Sequence, residues 1–149
     1  MSEVKTETVK VRHVMHYDID YILSLHKKIG VKQSNIAYMI SSGFGGPMDF
    51  SFIAEIDRKV VGVVIAHLMY VYIPITELCL INGIIVDPQY WRHHIGTKLV
   101  NELTKFCHTQ NISILRALAE EGNKELNEFV KAHGFHPSKI VSWDKEIVP

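Results

Sequence analysis

One stretch, residues 84–100, constrains the fold more than any other part of the chain. The apolar run Ile84-Ile85-Val86 predicts a buried strand, and Asp87-Pro88 predicts a turn directly after it. A polar loop then leads into a helix whose apolar stripe comprises Ile95, Leu99, Val100, Leu103, Phe106 and Cys107. Because unpaired backbone N–H groups and the positive end of the helix dipole meet at such a junction, the stretch predicts an anion-binding site.

Basic side chains gather in the loop after this strand. Arg92, His93 and His94 precede Gly96, and Lys98 lies in the first turn of the predicted helix. The loop has neither the GxxxxGK[ST] nor the GxGxxG spacing of the common phosphate-binding motifs, because Gly96 stands alone. The pair His93-His94 has three interpretations: a phosphate neighbour, a solvated loop or a pair of metal ligands. The first is favoured over the second, and a metal site is the least favoured.

Length and charge limit the classes of function. At 149 residues the chain is expected to form one domain, residues 1–149, that buries about two-thirds of its unfolded surface. Its 16 basic and 16 acidic residues cancel, which argues against nucleic acid as a partner. No apolar run reaches the ~18–20 residues of a membrane span, and we find no signal-peptide pattern, so a cytoplasmic protein without membrane contact is expected. Cys79 and Cys107 are then expected to be buried thiols.

The rest of the chain alternates between strand and helix patterns. Strands are predicted at 8–14, 50–56, 60–72, 77–86, 112–119 and 140–147, with a turn at 57–59 and a bulge at Asn82-Gly83. Helices are predicted from Asp18 to Gly30, from Ser34 or Asn35 through Ile40, at 95–107, and from Asn123 to Gly134. The glycine-rich segment 43–47 is either a substrate-gating loop or a connector. The order β-α-α-β-β-β-α-β-α-β indicates an α/β protein with a mixed sheet.

The stretch 84–100 resembles motif A of the GNAT superfamily, the acetyl-CoA-dependent N-acetyltransferases. Val86-Asp87-Pro88 matches the V-x-P strand end of that motif, and Gly96 matches the last glycine of its Q/R-x-x-G-x-G/A loop. Two positions depart from the pattern: Trp91 stands where the motif has Gln or Arg, and His94 stands where it has its first glycine. His94 matters only if the loop requires a positive φ there, because a β-carbon is costly in that conformation.

Two further stretches resemble the same superfamily, in the same order along the chain. Residues 57–62 resemble its D-x-x-x-V-G hairpin, and residues 123–135 resemble its N-x-x-A-x-x-F-Y-x-x-x-G-F helix. In that helix Leu126 replaces the alanine and Val130 replaces the tyrosine. The resemblance covers nearly the whole chain, and it implies a GNAT fold in which the central pair of strands splays apart.

The resemblance also implies which residues bind acetyl-CoA. The pantetheine arm would lie in the splayed gap against the strand backbone, and the pyrophosphate would bind N–H groups between Arg92 and Thr97. Asn123 would hydrogen-bond the pantetheine side of the cofactor. The full implied set is Ile84, Ile85, Val86, Trp91, Arg92, His93, His94, Ile95, Gly96, Thr97, Asn123 and Phe129. No metal is implied.

The implied reaction is direct attack of a primary amine on the thioester, which calls for a general base and a general acid. Glu77, near the start of the central strand, is our first candidate for the base. The family's usual acid is the tyrosine that Val130 replaces, so Tyr90 is our first substitute. The remaining candidates are Glu120 and Glu121 for the base, and Tyr70, Tyr72 or water for the acid.

The resemblance does not identify the acceptor, which could be a small-molecule amine or a protein amine. Specificity is expected in residues 28–50 and 68–77, whose acidic residues, Asp49 and Glu77, are too few to favour a polyamine. A homodimer, common in the family, is left open. Two alternatives also stay open: an acyl-CoA-binding or sensing module with little transferase activity, suggested by Trp91 and Val130, and a structural subunit that binds no cofactor.

Overall fold

The structure, a computed structural model, describes residues 8–30, 44–71 and 76–149. The chain divides into two compact units, Met1–Leu118 and Ala119–Pro149. The predicted helix through Ile36, Met39 and Ile40, the start of the glycine-rich segment, and Tyr72 lie outside the described residues.

The first unit is built on a mixed sheet with helices. Its strands are β1 (Lys10–His13), β2 (Phe52–Ile56), β3 (Lys59–Val71), β4 (Thr76–Val86) and β5 (Leu115–Ala117), and its helices are α1 (Ile19–Lys28) and α2 (Ile95–Thr109). The described strands form one sheet in the order β1-β2-β3-β4-β5. The first three pairings are antiparallel, whereas β4 and β5 are parallel. The predicted α/β class with a mixed sheet is therefore confirmed.

The two helices pack on opposite faces of the sheet. A core cluster joins Ile22 and Leu25 of α1 to Val63 of β3. The neighbouring residue, Gly62, faces Ile95 and Leu99 of α2. Because successive side chains of a strand point to opposite faces, α1 and α2 cover different sides of β3.

The hairpin between β2 and β3 turns on two residues. Ile56 pairs with Lys59, so Asp57 and Arg58 form the loop. Both have positive φ, 49° and 65°. Two such residues in succession are typical of the type I′ turn, whose twist matches that of the flanking strands. The predicted hairpin is confirmed, with Lys59 belonging to the strand rather than to the turn.

The start of α1 has no side-chain cap, although the predicted helix begins at Asp18. Asp18 precedes the helix, but its side chain makes no capping hydrogen bond. Its buried carboxylate instead accepts two hydrogen bonds from Arg12, each 2.9 Å, and one from the Met15 amide at 2.7 Å. The hydrogen bond to Asp18 holds the pKa of Arg12 above its ordinary value, despite some burial. An unpaired buried carboxylate costs more free energy than an uncapped helix end does. The Asp18 side chain therefore pairs with the Arg12 guanidinium instead of capping α1.

The second unit contains the predicted helix but not the predicted last strand. Helix α3 (Lys124–Ala132) begins after Asn123, whose Oδ1 accepts from the Leu126 amide at 3.1 Å, and Gly134 follows it with φ 85°. Residues 140–147, predicted as a strand, adopt no strand, and Trp143 is 90% exposed. That prediction is wrong because an alternating segment needs a neighbouring strand to pair with, and the second unit contains none.

Candidate active site at the end of β4

The central feature of the site is the edge of β4 beyond its pairing with β5. The two strands pair at Cys79, Leu80 and Ile81, and Ile81 with Ala117 is the last pair. β4 then continues to Val86, paired on its other side with β3. Among the residues that the structure describes, the segment from Gly83 to Val86 therefore pairs with β3 and not with β5. This is the opening between central strands that the sequence led us to expect.

A bulge accompanies this departure. Ile65 pairs with Gly83, and Ala66 pairs with Ile81, so Asn82 is an extra residue on β4. The predicted interruption at Asn82-Gly83 is thus a β-bulge. Such an insertion bends the strand and increases its twist locally.

Two peptide groups of β4 beyond the bulge face the open edge. The Asp87 amide donates to the Val61 carbonyl at 2.8 Å, which marks these two residues as a hydrogen-bonded pair. Because hydrogen-bonded and non-hydrogen-bonded pairs alternate in an antiparallel ladder, the peptide groups of Ile84 and Val86 point away from β3. An extended amide-bearing ligand can hydrogen-bond to such an edge.

Trp91 closes one end of this edge. Its indole Nε1–H donates to the Val86 carbonyl at 2.9 Å, while 60% of the residue is exposed. Trp91 therefore contributes a hydrogen bond to the strand end and a free aromatic face.

The loop between β4 and α2 is anchored by Asp87. One oxygen of its buried carboxylate accepts from Lys28 Nζ at 2.8 Å, and the other accepts from the Gln89 amide at 3.1 Å. Burial by itself would raise the pKa of Asp87, but the hydrogen bonds from Lys28 and Gln89, with the charges of Lys28 and Lys59, hold it below its ordinary value. Sequence reasoning missed Lys28, because nothing in its local pattern links it to a residue 59 positions later.

The loop enters α2 through left-handed backbone conformations. Arg92 has φ 71°, and His94, the residue before the helix, has φ 59° and ψ 27°. His94 therefore adopts the conformation that a glycine would take more readily. Among the described residues, the side chain of His94 makes no capping hydrogen bond. It therefore does not accept from the backbone amides of Ile95 and Gly96.

The charge around this helix end is positive. Arg92, His93, His94 and Lys98 are all exposed, and the first turn of α2 carries no acidic residue. The Tyr90 ring lies 5.6 Å from Lys59 Nζ and 5.9 Å from the His93 ring centroid. Helix N-terminal amides and basic side chains thus converge where the sequence predicted an anion site.

Gly62 lets α2 approach the sheet at this point. A β-carbon on Gly62 would lie 2.8 Å from Ile95 Cγ2 and 3.3 Å from the Ile85 carbonyl oxygen. The glycine of the D-x-x-x-V-G stretch is therefore needed to seat the first turn of α2 against β3. The sequence signal for this role was present in the motif, but the contact itself was not predictable.

The two predicted acid–base residues lie far apart. Glu77 is exposed on β4 opposite Tyr70 of β3, whereas Tyr90 follows the far end of β4. Nine residues separate Glu77 from Val86, which is about 30 Å at ~3.3 Å per residue. The structure therefore does not bring Glu77 and Tyr90 together.

The remaining predicted residues belong to the second unit. Asn123 uses Oδ1 to cap α3, and the centroid of the Phe129 ring lies 4.2 Å from that of the His133 ring, with the two rings tilted by 37°. Val130 also lies on α3, and Glu120 and Glu121 precede the helix.

The described ranges contain neither a metal-binding cluster nor a membrane-spanning helix. Residues 8–30, 44–71 and 76–149 hold no group of three or more His, Cys, Asp or Glu side chains arranged to bind a metal ion. The same ranges contain no helix of sufficient length and hydropathy to span a membrane.

Comparison with solved structures finds the same fold in acetyltransferases. The aminoglycoside 6'-N-acetyltransferase AAC(6')-Ih from Acinetobacter baumannii superposes with a TM-score of 0.80 at 17% identity, covering 95% of this chain and 100% of that one. AAC(6')-Iy in complex with CoA gives 0.83 at 15% identity, covering 97% and 99%. The enzyme meta-AAC0020, from an uncultured soil metagenomic sample and bound to sisomicin, gives 0.76 at 15% identity, covering 94% and 97%.

No curated protein sequence matches the chain, but one protein-family model does, and it agrees with the fold. The model of the acetyltransferase (GNAT) family matches residues 20–135, which is most of the chain and includes parts of both units. Together with the strand, loop and helix described above, this match shows that the chain belongs to the GNAT acetyltransferase family.

Proposed function

We propose that this protein is an acetyl-CoA-dependent N-acetyltransferase that transfers an acetyl group to a primary amine. The observation that carries the proposal is the junction of β4 and α2. An edge of β4 that does not pair with β5 leads directly to a helix N-terminus whose N-cap side chain makes no capping hydrogen bond among the described residues. The first feature suits an amide-bearing arm, and the second suits a pyrophosphate.

The residues present fit coenzyme A. Ile84, Ile85 and Val86 would contact the pantetheine arm, while residues 92–97 and Trp91 would surround the phosphates. Asn123 and Phe129 complete the proposed set, by resemblance to the family. Bound acetyl-CoA supplies an acetyl group already activated as a thioester.

The protein itself must supply a neutral amine. An alkylammonium with a pKa near 10.4 costs about 4–5 kcal/mol to hold neutral at pH 7, so a proton acceptor near the amine is required. Glu77 and Tyr90 remain candidates for proton transfer from the sequence pattern. The lack of a hydroxyl at Val130 leaves protonation of the departing thiolate to Tyr90 or water.

The acceptor we propose is a small-molecule primary amine. Structures that share the fold include aminoglycoside acetyltransferases, one of them in complex with sisomicin. At 14–17% identity such likeness concerns the fold, so sisomicin belongs in the first panel of amines as one member among others. A protein amine is the competing class, represented in the panel by a short peptide with a free N-terminus.

The first experiment is a thermal-shift titration with acetyl-CoA beside free CoA and ADP. Ligand at 100 times its Kd stabilises the native state by about 2.7 kcal/mol. For a chain of this size the midpoint should rise by roughly 5–10 °C, at about 2–4 °C per kcal/mol. A saturable rise with both coenzymes supports the cofactor site and justifies the amine panel. No rise at millimolar acetyl-CoA would contradict the proposal.

One alternative is favoured by a specific residue. Val130 removes the family's usual proton donor, which suits an acyl-CoA-binding module with little transferase activity. Saturable acetyl-CoA binding without acetylation of any amine in the panel would favour this alternative.

A further inference from the structure

A histidine and an amide side chain meet at the bulge of β4. His67 of β3 is half-buried, and its Nδ1 is hydrogen-bonded to Oδ1 of the exposed Asn82. Asn82 is the extra residue of the bulge. It follows Ile81, the last residue of β4 that pairs with β5. The pair therefore lies where the two central strands part.

The surroundings of His67 place it beside the segment in which we expect acceptor specificity. Asp49 forms a β-bridge with His67, so the two side chains share one face of the sheet. The Asp49 carboxylate accepts from the Gly45 and Ser51 amides, at 3.0 Å each. On the other side His67 is paired with Leu80, which carries no charge.

The hydrogen bond to Asn82 determines which ring nitrogen can accept a proton. An amide oxygen only accepts hydrogen bonds, so Nδ1 of His67 must carry the hydrogen. Nε2 then keeps its lone pair. A neutral imidazole held in this tautomer is suited to removing a proton from a bound group.

We propose that His67 is the residue that deprotonates the acceptor amine and that Asn82 is its positioning residue. The inference rests on the proposed acetyltransferase function. The acceptor ammonium gives one proton to Nε2 of His67, and its nitrogen then forms the new C–N bond as the C–S bond of the thioester breaks. The second amine proton ends on the departing thiol, and His67 releases its proton to solvent.

This assignment differs from the sequence-based choice of Glu77. Glu77 and Leu80 are three residues apart on β4, so Glu77 lies on the face opposite Leu80 and its partner His67. It also precedes the bulge by five residues. His67 is adjacent to the point where the strands separate, and Glu77 is not.

The kinetic test compares matched substitutions in the full-length chain, using an amine that the panel identifies. His67→Gln should lower kcat about 100-fold, the typical effect of losing a general base. The KM for acetyl-CoA and its thermal shift should stay at wild-type values, which also shows that the variant is folded. The exposed-histidine control His108→Gln should leave kcat near the wild-type value, and Glu77→Gln is measured beside it as the test of the competing base.

The spectroscopic test needs neither turnover nor cofactor. Imidazole ¹⁵N NMR of the free protein, with the His67 signals assigned by their loss in His67→Gln, should show hydrogen on Nδ1 and none on Nε2. Asn82→Ala should redistribute the hydrogen between the nitrogens and lower kcat, whereas Asn82→Asp, which keeps an acceptor oxygen, should preserve the Nδ1–H form.

The outcomes separate this inference from the proposed function. If acetyl-CoA does not bind, or binds while no amine is acetylated, the transferase proposal fails and the role of His67 fails with it. If transfer occurs but His67 carries its hydrogen on Nε2, or His67→Gln keeps wild-type kcat, the assignment of His67 alone is overturned. Loss of kcat in Glu77→Gln with His67→Gln unaffected would return the role to Glu77.

Discussion

The ion pair between Lys28 and Asp87 connects the end of α1 to the loop that follows β4. The Asp87 carboxylate is almost fully buried, whereas the Lys28 side chain is 45% exposed. Removing the lysine would leave a buried carboxylate with only the Gln89 amide as a hydrogen-bond partner among the described contacts. Because an unpaired buried charge is costly, this residue should matter more than a surface lysine does.

Lys28→Met should lower the free energy of unfolding by about 1–2 kcal/mol at pH 7. The expected value is below the 3–5 kcal/mol of fully buried pairs because Lys28 is partly solvated. Lys105→Met, which breaks the exposed pair with Glu102, is the matched control and should cost less than about 0.5 kcal/mol. Urea denaturation of both variants measures the difference, and equal losses would contradict a special role for Lys28.

The ion pair between Lys28 and Asp87 also predicts how folding stability changes with pH. The pKa of Asp87 is held below its ordinary value in the folded state. Its stabilising contribution is therefore complete above the unfolded pKa of about 3.9 and disappears as the pH falls through the lower folded value. The difference between wild type and Lys28→Met should shrink on acidification below that range, in the same urea experiment.

His94 adopts a left-handed backbone conformation that glycine takes more readily. The GNAT-like pattern has glycine there, and the structure places His94 at φ 59°. Histidine tolerates this left-handed conformation better than a bulky or β-branched residue would. The substitution thus keeps the loop path and adds a basic ring beside the helix N-terminus. Trp91 similarly replaces a polar side chain yet supplies a hydrogen bond, to Val86.

At the scale of elements, close packing of α2 against Gly62 of β3 determines where the first turn of α2 lies. Gly62 removes the side chain that would collide with Ile95, and the buried Leu99 packs nearby. Further along, Cys107 of α2 meets Cys79 of β4 as a pair of buried free thiols. The hydrogen bond with Cys107 and burial together raise the pKa of Cys79, so this thiol stays protonated.

Gly62→Ala should destabilise the fold by about 1–3 kcal/mol, because its β-carbon would lie 2.8 Å from Ile95 Cγ2 and force the helix to shift. Gly83→Ala on the paired strand is the matched control, because a β-carbon there meets nothing within 4 Å. It should be neutral or stabilise by up to about 1 kcal/mol. Urea unfolding of the two variants checks this, and a tolerated Gly62→Ala would show that α2 does not depend on the close approach.

At the scale of the whole molecule, opposite charges balance while one surface is locally basic. The formal net charge is +0 at pH 7, yet Arg92, Lys98 and the two histidines surround the N-terminus of α2. A neutral chain offers no general attraction for polyanions. We therefore expect the attraction of an anionic ligand to come from this surface.

CoA binding should weaken as salt rises. Exposed charges are screened beyond about 10 Å at 0.1 M ionic strength, so the Kd of CoA should increase between about 50 mM and about 500 mM NaCl. Pantetheine, which lacks the phosphates, should show little dependence. Isothermal titration calorimetry of both ligands at the two salt concentrations measures this, and an equal response of the two would argue against phosphate binding by these side chains.

The chain by itself determined much of the fold. Periodicity located every strand of the sheet and the three described helices, because each depends on local alternation or on an apolar stripe. It also located the bulge at Asn82-Gly83 and the strand–loop–helix junction at 84–100. It failed at residues 140–147, where alternation indicates a strand only if a partner strand is available.

Tertiary structure alone decided which distant residues meet. The sheet and its helices bring separated segments of the chain together. They form the ion pair of Lys28 with Asp87, the close packing of Ile95 against Gly62 and the hydrogen bond between His67 and Asn82. No local pattern contains such contacts, since they depend on strand register and on the close approach of a helix. For the same reason we first chose Glu77 as the base from its place near the start of the central strand, while the structure directs attention to a histidine on the neighbouring strand.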